Sequence, residues 1–217
     1  MVDLRLNAIV DPERANGCSL AELARMVVAG GATLIQLRDK HGSTRRMIEE
    51  ARAIQAVLAG TGVPLVINDR VDVALIAGAD GVHVGQDDMS VADARRLLGD
   101  KAIIGLSIKT VALANAAPIE LLDYVGVGGV YATTSKDNPN KPIGVAGLRD
   151  VVAAFHARKR DFPIVGIAGI EAGNAAAVVE AGADGVAVIS ALSMQNDPEA
   201  AARELRRIVD RTLAQRK

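Results

Sequence analysis

The hexapeptide AGADGV at Ala77–Val82 recurs unchanged at Ala181–Val186, and a looser copy, AGGATL, stands at Ala29–Leu34. In each copy a helix-like stretch runs into a glycine, which can take the left-handed conformation that ends a helix, and a strand-like apolar run follows at once. A unit that stops a helix and starts a strand, met three times, predicts a repetitive βα architecture. Outward from these copies, short apolar runs occur near Leu4–Val10, Thr33–Arg38, Pro64–Asn68, Gly81–Val84, Ala102–Leu106, Tyr124–Gly128, Pro163–Ile167 and Gly185–Ser190. Stretches of helical period separate them, most clearly Ser19–Ala29, Thr44–Ala59, Val91–Leu98 and Pro198–Leu213. Shorter helices are predicted over Val71–Ile76, Lys109–Ala116, Ala146–His156 and Glu171–Glu180. Eight strands, each followed by a helix, predict an α/β chain folded as a closed (β/α)8 TIM barrel. The competing open, doubly wound sheet would place a glycine-rich turn after its first strand, and DPERANG (Asp11–Gly17) is no such turn.

Composition sets the bounds. The 217 residues suffice for one sizeable core, so residues 1–217 are read as a single catalytic domain. Half the residues are apolar, with two Phe, two Tyr and no Trp, a composition suited to layers of parallel strands and helices. Lys and Arg number 25 against 26 Asp and Glu, so no charge excess points to nucleic acid or a membrane surface. Cys18 is the only cysteine, which excludes an internal disulfide and fits a reducing cytoplasm. No signal-like start and no membrane-length apolar run is present, so the expectation is a cytoplasmic protein without a membrane partner.

In a barrel of this kind the active site forms at the C-terminal ends of the strands, so the residues following each apolar run carry the functional reading. Strand two ends in Gln36, Arg38 and Lys40, alternate positions that project to one side. Strand three ends in Asn68, Asp69 and Arg70, strand four in Gly85, Gln86, Asp87 and Asp88, and strand five in Ser107 and Lys109. Strand six runs into YATTSKDNPNKP (Tyr131–Pro142); strands seven and eight give Gly169 and Ser190. Arg38, Lys40 and Lys136 are cations suited to phosphate oxygens. Asp69 and Asp88, from adjacent strands, can converge on one hard cation whose other positions go to water and substrate phosphates, as magnesium prefers. Gly169 and Ser190 stand where barrels often bind a phosphate through backbone N–H groups. Two phosphate sites follow, a diphosphate with metal and a monophosphate. Duller readings stand beside these: Asp69 as the cap of the next helix and Asp88 or Ser90 of the one after, the cations as solvated loop charges, His83 as a packed or hydrogen-bonded strand residue.

Taken together, QLRDK (Gln36–Lys40), INDR (Ile67–Arg70), GVHVGQDD (Gly81–Asp88), GLS (Gly105–Ser107), YVGVGGVYATTSK (Tyr124–Lys136), PIVGIAGI (Pro163–Ile170) and GADGVAVIS (Gly182–Ser190) resemble the thiamine-phosphate synthase family, in its order and over seven of the eight units. The resemblance implies a magnesium-dependent barrel that joins a 4-amino-2-methyl-5-(diphosphooxymethyl)pyrimidine to a thiazole ethyl phosphate, giving thiamine phosphate and diphosphate. It implies Gln36, Arg38, Lys40 and Asn68 on the pyrimidine diphosphate, Asp69 and Asp88 as magnesium ligands, and Ser107 near the pyrimidine and its leaving group. Thr133, Ser135 and Lys136 match the loop between the two substrates, and Gly169, Ile189 and Ser190 the cradle of the thiazole phosphate. Of these, Arg38, Lys40, Ser107 and Lys136 are the implied catalytic groups. The partners are thus small molecules, and a homodimer is a possible assembly.

Three places depart from the family pattern. Gly129 and Ala132 lack prolines, which predicts a looser loop; Lys109 stands where a His is common; Ala168 replaces the first Gly of a usual pair and predicts crowding at the phosphate turn. The rival readings are a thiazole tautomerase, which would want a general base and no diphosphate cluster, and a non-catalytic barrel that binds a phosphorylated ligand.

Overall fold

The computed structural model describes residues 2–133 and 141–216. Strands β1 (Leu6–Val10), β2 (Leu34–Leu37), β3 (Leu65–Asn68), β4 (Gly81–Val84), β5 (Ile103–Ile108), β6 (Tyr124–Val127), β7 (Ile164–Ile167) and β8 (Gly185–Val188) pair in parallel, each with the next, and β8 pairs with β1 to close the barrel. The helices are α1 (Leu20–Ala29), α2 (Thr44–Leu58), α3 (Val71–Ala77), α4 (Val91–Leu98), α5 (Val111–Ala116), α6 (Gly144–Arg158), α7 (Ala175–Glu180), α8 (Ser190–Ser193) and α9 (Pro198–Gln215). Short 3-10 turns lie at Pro12–Arg14 and Ile119–Leu121. The (β/α)8 expectation holds. Among the described residues no helix is long and apolar enough to cross a membrane.

The strands are apolar on both faces because both are buried. Leu34, Val66, Tyr124, Val165 and Ala187 fill the barrel, while Ile35, Leu65, Ile67, Val82 and Ile104 pack outward against the helices. At the N-terminal rim the repeated motif has a second role beyond ending helices. The Asp80 carboxylate accepts from Leu65 N at 2.8 Å, Asp184 from Ile164 N at 2.9 Å and Asp123 from Ile104 N at 2.8 Å. Thr33, in the looser copy, accepts from Leu6 N through Oγ1 at 3.0 Å. The residue just before each even strand therefore ties down the first residues of the odd strand beside it. Four such ties fix the register of four strand pairs.

Several boundaries shift: β5 runs on to Ile108 and so contains Ser107, expected just past the strand, and two further shifts bear on the phosphate cradle. Ser190, read as the last residue of strand eight, instead opens α8, because Ile189 turns the backbone out of the strand at φ −111° and ψ −84°. The helix expected from Glu171 starts at Ala175, because Glu171–Asn174 forms a loop in which Asn174 Oδ1 accepts from Glu171 N and Asn174 Nδ2 donates to Gly169 O, both at 2.9 Å.

Candidate active site

The polar residues at the C-terminal strand ends face one mouth. At β2, Gln36 is buried on the interior side and Arg38 is 13% exposed, its Nη1 donating to Asp11 Oδ2. Asp11, itself only 1% exposed, follows β1 and also accepts from Glu13 N at 3.0 Å through Oδ1. A guanidinium this buried needs a paired carboxylate, and Asp11 holds it in place with donors to spare. Next, Asp39 Oδ1 accepts from His41 N at 3.0 Å and Gly42 N at 2.7 Å, a tight turn that sets Lys40 against Asp69. Lys40 Nζ donates to Asp69 Oδ2.

Asp69 and Asp88 meet across the ends of β3 and β4. Asp69 sits in the left-handed region at φ 63°, and its N–H donates to His83 O at 2.8 Å. Asp88 Oδ2 accepts from Gly85 N at 2.7 Å. Burial, with Asp69 close enough to hydrogen-bond, raises the Asp88 pKa above the ordinary carboxylate value. Neither acid caps a helix: Ser90 caps α4, accepting from Asp93 N, and α3 begins without a side-chain cap. The pair is too small for a metal cage of its own, and the described residues contain no cluster of three or more His, Cys, Asp or Glu able to hold a metal. Two carboxylates beside two cations do fit a hydrated hard cation shared with phosphate oxygens. Arg70, by contrast, turns away to Asp72 and Thr44, and Lys109 is exposed at the end of β5.

The far side of the mouth is a cavity of about 750 Å³ at the ends of β7 and β8. Thr133, Gly169, Ile189 and Ser190 all line it. A Cβ at Gly169, where φ is 64°, would lie 2.3 Å from Ala132 O, so this position admits only glycine. Ala168 beside it has φ 84°. Ahead of the loop expected to be looser, the chain is tied to β7, where Val130 N and Tyr131 N donate to Ile167 O and Ala168 O at 2.9 and 3.0 Å; the loop itself lies outside the described residues beyond Thr133. Ser135 and Lys136 lie outside the described residues. The structure thus gathers Gln36, Arg38, Lys40, Asn68, Asp69, Asp88 and Ser107 on one side, and Thr133, Gly169, Ile189 and Ser190 on the other.

Three participants were not read from the sequence. Asp11 ends β1 as the other polar residues end theirs, but the first strand end was read only for a glycine-rich turn. His83, expected as a packed or hydrogen-bonded strand residue, is both, but its particular partners were not foreseen: Nδ1 lies 2.9 Å from Tyr124 Oη and Nε2 3.0 Å from Ser107 Oγ. These contacts span three strands, so only the register shows them. Gln86, whose Nε2 donates to Ser107 O at 2.7 Å, closes the same corner.

Comparison with known proteins agrees along the whole length. A model of the family described as thiamine monophosphate synthase matches residues 6–192. The thiamine-phosphate synthase of Agrobacterium fabrum is 52% identical over 215 residues, 99% of this chain and 98% of that one. The thiamine-phosphate synthase of Chloroflexus aurantiacus is 48% identical, over 98% of this chain and 95% of that one. Among solved structures, the thiamine phosphate pyrophosphorylase of Pyrococcus furiosus superposes with a TM-score of 0.84 at 35% identity, covering 98% of each chain. With the barrel, the polar mouth and these likenesses in agreement, the chain belongs to the thiamine monophosphate synthase family of transferases.

Proposed function

We propose that the barrel mouth carries out the synthase reaction with magnesium, joining the pyrimidine diphosphate to the thiazole phosphate by dissociative substitution. The observation that carries this reading is the meeting of Asp69 and Asp88 beside Lys40 and Arg38, opposite a separate cavity built on Gly169 and Ser190. Asp69 and Asp88 would hold the magnesium ion, which when bound neutralises negative charge on the diphosphate oxygens. Arg38, held by Asp11, presents its remaining N–H donors to those oxygens, and Lys40 and Lys136 add point charges. As the bond from the exocyclic methylene to the diphosphate oxygen breaks, the electron pair leaves with the diphosphate, and the aminopyrimidine delocalises the cation. Gln36, Asn68 and Ser107 hold the ring. Thr133, Ser135 and the cradle of Gly169, Ile189 and Ser190 hold the thiazole by its phosphate, so that its ring nitrogen forms the new C–N bond. No protein nucleophile takes part; positioning and charge supply the rate.

The test is to incubate purified protein with both substrates and magnesium and to measure thiamine phosphate and diphosphate together. Equimolar, metal-dependent products that vanish in Asp69→Ala and Arg38→Ala are expected. Tight binding of the thiazole phosphate without turnover would sink the synthase reading.

A further inference from the structure

At one level inside the barrel, β4, β5 and β6 contribute a chain of three hydrogen-bonding side chains. The register places His83 beside Gly105 and Gly105 beside Tyr124. Tyr124 Oη reaches His83 Nδ1 at 2.9 Å, and His83 Nε2 reaches Ser107 Oγ at 3.0 Å. The two rings lie 5.4 Å apart, centroid to centroid, tilted by 39°. The interior is cut to admit them. A Cβ at Gly105 would stand 2.3 Å from Tyr124 Cζ and 2.5 Å from His83 Nδ1, and one at Gly126 would stand 3.1 Å from His83 Cε1. Two inward positions are therefore left without side chains so that a polar pair can occupy an otherwise aliphatic barrel.

The direction of the chain follows from burial. Tyr124 is fully buried, and a buried hydroxyl that fails to donate loses its hydrogen bond to water with nothing in return. Burial also raises the Tyr124 pKa well above the ordinary phenol value, so the hydroxyl keeps its hydrogen. Among the described residues, the hydrogen bond Tyr124 makes is the one to His83 Nδ1. Nδ1 therefore accepts, the ring hydrogen sits on Nε2, and Nε2 donates to Ser107 Oγ. With one lone pair of Oγ taken and its backbone carbonyl held by Gln86, half-buried Ser107 has its hydroxyl hydrogen left to give at the mouth.

We propose that Tyr124 is a positioning residue: by donating to His83 it fixes the Nε2–H tautomer and so makes Ser107 a hydrogen-bond donor toward the pyrimidine diphosphate. The substrate named here rests on the synthase reading above; the polarity of the chain does not. His41→Gln with His156→Gln leaves His83 as the one histidine, and 15N NMR of that protein at pH 8, where imidazole is neutral, reads the tautomer directly. The expected result is a protonated Nε2 and an unprotonated Nδ1 in the Tyr124 protein, and a mixture of tautomers in Tyr124→Phe. In turnover, Tyr124→Phe is expected to lower kcat about tenfold, the scale of one misdirected hydrogen bond, with KM little changed. The same substitution in Ser107→Ala should then add nothing, whereas Ser107→Thr, which keeps the hydroxyl, should restore the sensitivity. A protonated Nδ1 in the Tyr124 protein, or losses from Tyr124→Phe and Ser107→Ala that multiply, overturns the proposal. The Nε2–H tautomer in a protein that turns over neither substrate supports the polarity and overturns the synthase reading instead.

Discussion

Ala168 holds φ at 84° although only glycine takes this region without steric cost, and it is buried against the turn that carries Gly169. The crowding that the departure from a Gly-Gly pair predicts is thus backbone strain at residue 168 itself. Ala168→Gly is expected to stabilise the fold by about 1 kcal/mol, a rise in Tm of about 2–4 °C by calorimetry, set against the small entropic cost of an added glycine. A lower Tm would show that the Ala168 methyl packs well enough to outweigh the strain. Asp88 carries a different kind of strain. Its pKa is raised in the fold, first by burial and then by Asp69, so the folded chain binds this proton more readily than the unfolded chain does. Stability from this group is therefore present at low pH and lost as pH rises through the raised pKa. Asp88→Asn should remove that dependence and raise the metal-free Tm at pH 7 by a degree or two, since water screens an exposed mouth. It should also abolish any rise in Tm on adding magnesium. Both acids were legible from the sequence, because Asp69 follows β3 directly and Asp88 lies in the short loop after β4. Asp11 and the pairing of His83 were not, since the first needs Arg38 folded over it and the second needs the register of three strands.

At the scale of elements, the two ends of the strands do different work. The N-terminal rim holds register through Asp80, Asp123, Asp184 and Thr33, and the C-terminal rim gathers the polar residues proposed to carry the chemistry. This division separates stability from activity by mutation. Asp80→Ala leaves Leu65 N without its side-chain partner and is expected to cost about 1–2 kcal/mol in denaturant unfolding, with kcat and KM unchanged. A loss of activity in folded Asp80→Ala would mean that the rim ties transmit to the mouth. At the other rim, Gly169→Ala places a methyl 2.3 Å from Ala132 O at a positive φ. It is expected to raise KM for the thiazole phosphate at least tenfold while sparing that for the pyrimidine diphosphate, as steady-state kinetics would show; an equal effect on both would refute two separate cradles. The βα order was legible because helix period, glycine stop and apolar run recur as one unit. The aspartate in AGADGV was visible too, yet its tie to the preceding strand is a contact about 15 residues back, at Leu65, and periodicity carries no trace of it. The end of strand eight was misjudged for a related reason: Ile189 and Ser190 are as apolar and small as strand residues, and only the turn at Ile189 sends them into α8.

For the whole molecule, closure of the barrel is what brings the two proposed phosphate sites to one mouth. Arg38 and Lys40 arrive from the second strand unit and Gly169 and Ser190 from the seventh and eighth, and they share a mouth because β8 pairs with β1. The seam is covered by α9, which is tied at its start by Asp197 accepting from Ala200 N and buries Leu205, Ile208 and Val209. A site assembled from both ends of the chain has a thermodynamic consequence. A ligand that binds the mouth of the folded barrel and not the unfolded chain raises the stability of the whole fold where the barrel unfolds as one unit. Inorganic diphosphate with magnesium, at about 100 times its Kd, should add about 2.7 kcal/mol and shift Tm upward by about 5–10 °C as a single transition. The shift should disappear in Arg38→Ala and in Asp69→Asn and persist in Gly169→Ala, because the proposed monophosphate cradle lies on the far side of the mouth. Scanning calorimetry of the full chain decides it. Two transitions, only one of them moved by diphosphate, would mean that the halves of the barrel fold separately and that 1–217 is not one cooperative domain.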